Sequence, residues 1–470
     1  MSFNLQDLLD ENAGRNYSLH SEHINPQFAK VLRLIGFDKC YDRAQGTHLW
    51  DLDGNKYLDM LSGYGVWNHG RSHPVIRKAL IDFLCSDQPG LIQMEAPLLA
   101  GLLAEELKRR SGFDLGRVYF TSTGAEGNET VIKFARRATG KSRIVYAENA
   151  FHGLTNGALA LNGSSIFRDG FGALVPDTLS VRYNDPDDLE KALAQGDVAA
   201  FIVEPVQGKS LEIATKDYLE EAVRLCRKYG TLFVADEVQS GIGRTGRFLS
   251  LQHAPKAEPD MVILSKSLSG GYVPVGAVLM RDWIHEKVFS SLDRAVVHSS
   301  TFGQGGLAMV AGLASLQTLD DDALLENAQS MGDLLGSRLS AMKSRYEFMK
   351  DVRWQGLMIG VEFGEPVSFK LTAAWKTINA LSADLFCQGV TIPLFEDHRI
   401  LTQVSGNSSK IIKLIPPLCL SESDVDWFCD GFEQVMAGLH TFPGPVWEGL
   451  ARIGRNALPR RSFKATANTL

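Results

Sequence analysis

Between Arg117 and Met280 the chain carries six short runs that are apolar almost without a break: RVYFTS (117–122), RIVYAE (143–148), AAFIVEP (199–205), TLFVADE (231–237), DMVILS (260–265) and VGAVLM (275–280). A strand with one wet face alternates polar and apolar residues. A run that does not alternate is a strand covered on both faces, the usual state of a parallel sheet between two helical layers. Helical patterns separate the runs. In DYLEEAVRLCRKYG, Leu219, Val223 and Cys226, with Ala222 and Tyr229, recur at helical spacing, and Gly230 follows as a C-cap. Strands alternating with helices imply right-handed crossovers and an α/β fold, a mostly parallel central sheet flanked by helices.

Such a sheet needs a large core. With 470 residues, 44% apolar and 22% charged, the chain has globular composition and the material for one. No apolar run reaches the ~18 residues of a membrane span. The start, MSFNLQDLLDENAGRNYS, lacks the basic-then-apolar pattern of a secretion signal, so the expected compartment is the cytoplasm. A formal net charge of −7 argues against generic nucleic-acid binding, which needs a basic footprint. Cys40, Cys85, Cys226, Cys387, Cys419 and Cys429 form no CxxC pair. Reduced thiols and no metal site are therefore expected.

The flanks read differently. Residues 45–61 look like a hairpin turning at Asp53-Gly54-Asn55. From about Asp320 the chain is helical, and further strands follow in LMIGVEF and KIIKLIPPL. The expected division is an N-terminal segment (1–75) joining a smaller α+β domain, a large domain (76–325), a C-terminal small domain (326–440) and an extension (441–470). That extension is basic, carrying Arg452, Arg455, Arg460, Arg461 and Lys464.

Ligands of an open parallel sheet bind beyond the carboxyl ends of its strands. TLFVADEVQ ends in Asp236, and Val238, two residues on, shares its face. A buried carboxylate beside an apolar side chain suits a flat heteroaromatic cation, although a capping or ion-paired aspartate fits the same letters. DMVILSKS ends in Lys266, ahead of Ser267-Leu268-Ser269-Gly270-Gly271. A solvated charge is a poor account of a lysine that closes a buried strand. Partial burial lowers its pKa and makes it a Schiff-base nucleophile. Asp236 and Lys266 at adjacent strand ends are what pyridoxal 5′-phosphate requires: an imine partner for its aldehyde and an acid partner for its ring nitrogen. The phosphate needs a seat, and RVYFTS runs into Thr123-Gly124-Ala125-Glu126 at a helix start, where N–H groups point outward. Thr123 and Glu126 also fit a capping box. Phe151, in AFHG, offers a ring for stacking or for the core.

Gly241-Ile242-Gly243-Arg244-Thr245-Gly246 matches the dinucleotide fingerprint G-x-G-x-x-G. No helical pattern follows it, since RFLSLQHAP holds a proline. An NAD-dependent oxidoreductase therefore stays a remote alternative.

Taken together, FTSTGAEGNETVIKFAR, AFHG, FIVEPVQG, LFVADEVQSGIGRTGRF, SKSLSGG and HSSTFG resemble, in order, the class III pyridoxal-phosphate aminotransferases of the ornithine and acetylornithine kind, over roughly residues 25–435. The resemblance implies a type I pyridoxal-phosphate transferase fold and a ping-pong transfer between an amine donor and a carbonyl acceptor. A racemase or aminomutase of the same fold is the alternative. It further implies that Lys266 binds the cofactor and moves the proton and that Asp236 holds the ring nitrogen. Val238 and Phe151 sandwich the ring. Gln239, with Glu204 behind it, meets the phenolic oxygen, and Thr123, Gly124 and Ala125 seat the phosphate. Ser300 and Thr301 would reach the phosphate of a neighbouring subunit, so a homodimer with shared sites is expected. Tyr64 matches a substrate-facing tyrosine, and Trp67 adds bulk nearby. Three positions depart from the ornithine-type pattern. Leu154 stands where that pattern has arginine, Lys209 where it has glutamate, and Lys413 where it has the arginine that grips an α-carboxylate. Lysine lacks the bidentate fork that suits a carboxylate. The expected reaction thus moves an amino group between a primary (ω-)amine or amino acid and a carbonyl acceptor (aldehyde or 2-oxo acid), with a primary amine or aldehyde of a larger metabolite expected rather than ornithine.

Overall fold

The computed structural model describes residues 3–381, 385–406 and 410–457. The hairpin of 45–61 belongs to a small sheet in which β1 (Tyr41–Gln45), β2 (His48–Asp51) and β3 (Lys56–Asp59) pair antiparallel. Asp51 builds the turn, its carboxylate accepting the backbone N–H groups of Asp53 and Asn55 at 3.1 and 2.8 Å. This side-chain closure is why aspartate favours such positions.

The apolar runs form one seven-stranded sheet: β4 (Arg117–Thr121), β5 (Arg143–Ala147), β6 (Thr178–Val181), β7 (Val198–Val203), β8 (Leu232–Asp236), β9 (Met261–Leu264) and β10 (Gly276–Met280), in the order β4-β10-β9-β8-β7-β5-β6. The pairs from β6 to β9 are parallel, while β10 runs antiparallel to both β4 and β9. The missing alternation now has its cause. Phe201 and Val203 of β7 join one hydrophobic core, and Ala200 and Ile202 of the same strand join a second core with Val131 and Phe134 of the helix Gly124–Thr139. Both faces are covered, so every position is apolar. β6, an edge strand like β4, left no apolar run because only Val181 of its four residues is buried. The helix Lys216–Tyr229 buries Leu219, Ala222, Val223 and Cys226, and Gly230 ends it at φ +59°.

The later strands are β11 (Met349–Gln355), β12 (Met358–Phe363), β13 (Ile400–Leu401), β14 (Gln403–Val404) and β15 (Ile411–Leu414). β13 pairs parallel with β3, and a four-stranded sheet runs β11-β12-β15-β14. The helix Pro445–Ala457 buries Trp447 and Leu450. Arg452 and Arg455 lie on it, whereas Arg460, Arg461 and Lys464 lie outside the described residues. Among the described residues no single helix is long and apolar enough to cross a membrane.

One local conformation is unusual. Ser62, Gly63, Tyr64 and Gly65 take φ values of +45°, +61°, +65° and +80°, a full left-handed turn. Glycine adopts this freely, but Ser62 and Tyr64 each carry a steric cost of about 1–2 kcal/mol. Local bonds hold the turn. Asp59 accepts the N–H groups of Leu61 and Ser62 at 3.0 and 2.7 Å, and the Ser62 hydroxyl donates to Ile415 O at 2.6 Å.

Candidate active site

A cavity of about 680 Å³ opens where β4, β8 and β9 end. From β4 the chain passes through Ser122 and Thr123 into the helix Gly124–Thr139. The Thr123 hydroxyl accepts the Glu126 N–H at 3.2 Å. The box expected from Thr123 and Glu126 is not reciprocal: the Glu126 carboxylate accepts the N–H of Ser122, one residue before the cap, at 2.6 Å. First-turn N–H groups have no partner inside a helix, and Gly124 and Ala125, which carry two of them, line the cavity. Gly124 has to be glycine, because a Cβ there would sit 2.7 Å from Val238 Cγ2. Gly124→Ala is therefore expected to weaken cofactor retention by about 1–3 kcal/mol, the usual cost of overpacking. Equilibrium dialysis against pyridoxal phosphate measures it, and unchanged retention would contradict a phosphate seat here.

β8 delivers Asp236, which is buried. Its Oδ2 accepts Asn128 Nδ2 at 2.9 Å and His152 Nδ1 at 2.8 Å, and its Oδ1 accepts the Val238 N–H at 3.1 Å. Burial pushes the carboxyl up, but the hydrogen bond and charge of His152, with the other donors, outweigh it and hold the group below its ordinary pKa. His152 moves the opposite way: burial lowers it, and Asp236 raises it to a net value above the ordinary one. Asn128 and His152 were both missed in the sequence. Asn128 was findable, since it lies one helical turn beyond Gly124, and His152 sits inside the AFHG segment beside Phe151.

β9 delivers Lys266, itself left-handed at φ +47°, in a short turn (Lys266–Ser269) that ends on Gly270. Such conformations cluster at functional sites. Burial lowers the Lys266 pKa; Asp236 and Glu204 raise it in part, and Lys209 lowers it further. Glu204, buried, accepts the N–H groups of Phe151 at 2.9 Å and Gly208 at 2.8 Å. Burial raises its carboxyl. Gln239 donates through Nε2 to Tyr64 O at 2.9 Å, and its buried Oε1 has no partner among the described residues.

Tyr64, Lys209 and Lys413 form a further part of the cavity wall. Lys413 projects from β15 and is 3% exposed. Its Nζ donates to Gly208 O at 2.9 Å and lies 5.7 Å from the Tyr64 ring centre. Burial, then the neighbouring Lys209 and Lys266, pushes it down to about 7. Lys209 Nζ lies 4.5 Å from the Phe151 ring centre and 5.2 Å from that of Phe167. No arginine lines the cavity among the described residues.

Other singled-out residues lie elsewhere. Trp67 stands behind the wall, edge-on to Tyr272 at 5.4 Å and against Gly271, where a Cβ would meet its ring at 2.7 Å. Leu154 is 57% exposed and does not line the cavity. Ser300 and Thr301 lie outside the lining of this chain's cavity. Their segment is tied to the helix Gly124–Thr139 by His298, whose Nδ1 accepts from Lys133 Nζ at 2.8 Å. The dinucleotide expectation fails. None of residues 241–246 lines the cavity, and only a short 3₁₀ turn, Ser250–His253, follows them.

Pyridoxal phosphate fits what is present. An ionised carboxylate lies buried at one strand end and a lysine with a lowered pKa at the next. A helix start closes on Gly124, where a Cβ would collide, and a buried amide oxygen of Gln239 lacks a partner. A family model described as Aminotransferase class-III matches residues 36–436. Aminotransferase PigE of Serratia sp. (strain ATCC 39006) is 34% identical over 455 residues, 90% of this chain but 53% of that protein, so the chain spans about half the length of this relative. The acetylornithine aminotransferase of Methanosarcina mazei is 34% identical, across 83% of this chain and 90% of its own. The PLP-bound amine transaminase of an uncultivated Pseudomonas species superposes with a TM-score of 0.73 at 26% identity, covering 85% of this chain and 94% of its own. The family match spans the strand ends that carry Asp236 and Lys266 as well as the wall that carries Lys413, and the chain belongs to the class III aminotransferases, which work with pyridoxal 5′-phosphate.

Proposed function

We propose that the chain moves an amino group between a primary ω-amine of a larger, mainly apolar metabolite and an aldehyde or 2-oxo-acid acceptor. The observation that carries this is the substrate wall. Its cations are lysines already engaged with Gly208 O and with aromatic rings, and no arginine fork stands ready for an α-carboxylate. The amine transaminase among the similar structures is in keeping with it.

Pyridoxal phosphate, when bound, supplies an aldehyde for amines and a protonated ring that takes up electrons. Under this proposal Asp236 keeps the proton on the ring nitrogen, which its low pKa suits, and His152 and Asn128 keep Asp236 ionised. Lys266, whose pKa burial lowers, would take the proton from the donor carbon at Nζ and pass it to the cofactor rather than back to the same carbon. Val238 and Phe151 cover the two ring faces. Gln239 meets the phenolic oxygen, with Glu204 holding the Phe151 and Gly208 backbone behind it. Thr123, Gly124 and Ala125 seat the phosphate. Ser300 and Thr301 serve a partner subunit's phosphate in a homodimer. Exposed Met94, Leu292, Val296 and Phe302, 70–97% accessible in this chain, favour such a contact. Six scattered cysteines with no CxxC pair among them favour a reducing compartment such as the cytoplasm.

A screen of ornithine, putrescine, long-chain amines and aldehydes, following the pyridoxamine form of the cofactor, tests the substrate class. A clear preference for ornithine would refute it. A pH effect is also expected. Lys413 loses its proton as pH rises through about 7, so a carboxylate-bearing acceptor should bind more weakly above that pH and an uncharged aldehyde should not. KM profiles for the two acceptors between pH 6 and 8.5 (a range chosen to bracket that pKa, ~2 units wide) separate these outcomes.

A further inference from the structure

We propose that Arg244, the buried arginine of the glycine loop 241–246, is a positioning residue that sets donor recognition by fixing Tyr64 and Lys413 at the substrate wall. The proposal rests on the transaminase reading above. Arg244 is fully buried, and no carboxylate bonds it among the described residues. Burial lowers its pKa to about 9, opposed only by the charge of Asp59. A buried cation without a paired anion is unfavourable, so its use must lie in what it holds.

It holds three separate pieces of chain. Nη1 donates to Leu357 O at 2.9 Å and to Pro416 O. Nη2 donates to Asn68 Oδ1 at 2.6 Å and reaches the Ser62 hydroxyl at 3.4 Å. Each piece leads to the substrate wall. Ser62 opens the left-handed turn that carries Tyr64. Pro416 lies just beyond β15, which carries Lys413, and Leu357 precedes β12, which pairs with β15 at Gly360 and Lys413. The loop glycines admit this contact. Gly243, at φ +85°, would place a Cβ 2.9 Å from Leu418, and a Cβ on Gly356 would strike the Thr245 backbone at 2.5 Å. Close packing against the Leu418 side chain and against Gly356 thus accounts for glycine at 243 and at 356.

Tyr64 is held from several sides. Its carbonyl accepts from Gln239 and its hydroxyl accepts Gln403 Nε2 at 3.1 Å, while Lys413 lies against its ring. A left-handed turn persists only where its surroundings over-determine it. Loosening the guanidinium lets the turn relax and moves Tyr64. Arg244 shares no hydrogen bond with Lys266, Asp236 or Gly124, although its loop follows the strand that ends in Asp236.

Arg244→Lys and, as a milder change, Ser62→Ala test this in the holoenzyme. The readouts are KM and kcat for a series of linear primary amines of increasing length, the visible absorption of the bound cofactor, and its retention on dialysis. The expected result is a fall in kcat/KM of about 10- to 100-fold, the scale of a small misplacement at a reacting site, carried by KM. Discrimination by chain length flattens, the cofactor's absorption shifts only as far as Gln239, which donates to Tyr64 O, is released, and retention stays unchanged. Arg244→Lys failing to fold leaves Ser62→Ala to decide. An unchanged amine profile in the variants overturns the inference, as does cofactor loss in parallel with the KM change. Inactivity of the unmodified enzyme toward every amine would sink the transaminase reading and this inference with it, whereas an active enzyme whose variants keep its profile sinks the inference alone.

Discussion

Lys266→Ala is expected to lower turnover by at least about 10⁴-fold, the upper range for a positioned acid–base group, and to abolish the absorption band of the lysine-bound cofactor. Two other lysines line the same cavity, and neither can substitute. Lys413 is bonded to Gly208 O, and Lys209 rests on the rings of Phe151 and Phe167. Only Lys266 stands at the end of β9, beside the strand that presents Asp236. Stability should move differently. Burial lowers the Lys266 pKa in the folded state, so its charged form is disfavoured by folding, and the cost is present at pH values below the ordinary lysine pKa of 10.5. The cofactor-free variant should therefore melt no lower than the cofactor-free parent at pH 7, while activity vanishes. Retained turnover would overturn the assignment of Lys266, and a large drop in melting temperature would show a structural role instead.

Asp236→Asn should cost about 10²–10³ in kcat, the scale of losing one stabilising group aimed at developing charge. Asp236→Ala should also destabilise by about 3–5 kcal/mol, because it strands the buried donors of His152 and Asn128. The pH dependence follows from two opposite shifts. Asp236 has a folded pKa below its ordinary 3.8, so its contribution is present above 3.8 and lost as pH falls through the folded value. His152 has a folded pKa above its ordinary 6.5, so its contribution is complete below 6.5 and lost as pH rises through the folded value. The pair stabilises most between these limits. The difference in unfolding free energy between the parent and Asp236→Asn should therefore be greatest on the acid side of neutrality and shrink as the medium becomes alkaline. A difference that ignores pH would show that the two side chains are not coupled as charges.

Asp236 and Lys266 were legible because each breaks a rule: a charged residue closes a run otherwise covered on both faces, and burial without a purpose is unfavourable. The covered strands were legible as apolar runs, and β6 was not, since only one of its four residues is buried. His152 and Asn128 lay inside segments already singled out, but their bond to Asp236, far along the chain, is set by tertiary packing. Trp67 reads as bulk near the substrate, but it packs on Tyr272 and Gly271 and does not line the cavity. Leu154 follows Gly153 at φ +122° and is 57% exposed, clear of the cavity lining. Arg244 stood inside a motif weighed only for nucleotides. Its role is a matter of which backbone carbonyls converge on it, and no local pattern encodes that.

The reversed direction of β10 bears on the order of folding. Because β9 and β10 are antiparallel neighbours, with Leu264 facing Ala277, the segment 265–275 that holds Lys266 closes between two strands adjacent in the chain. Closing so short a loop costs little entropy, and contacts of this kind form fast. Asp236, His152 and Gly124 come together only after β4, β5 and β8 find their registers across helical crossovers, which is slow by the same rule. The lysine loop is thus an early product of refolding and the cofactor seat a late one. Pyridoxal phosphate added to a refolding chain should leave the early phases unchanged and act at the end, by mass action on the completed sheet.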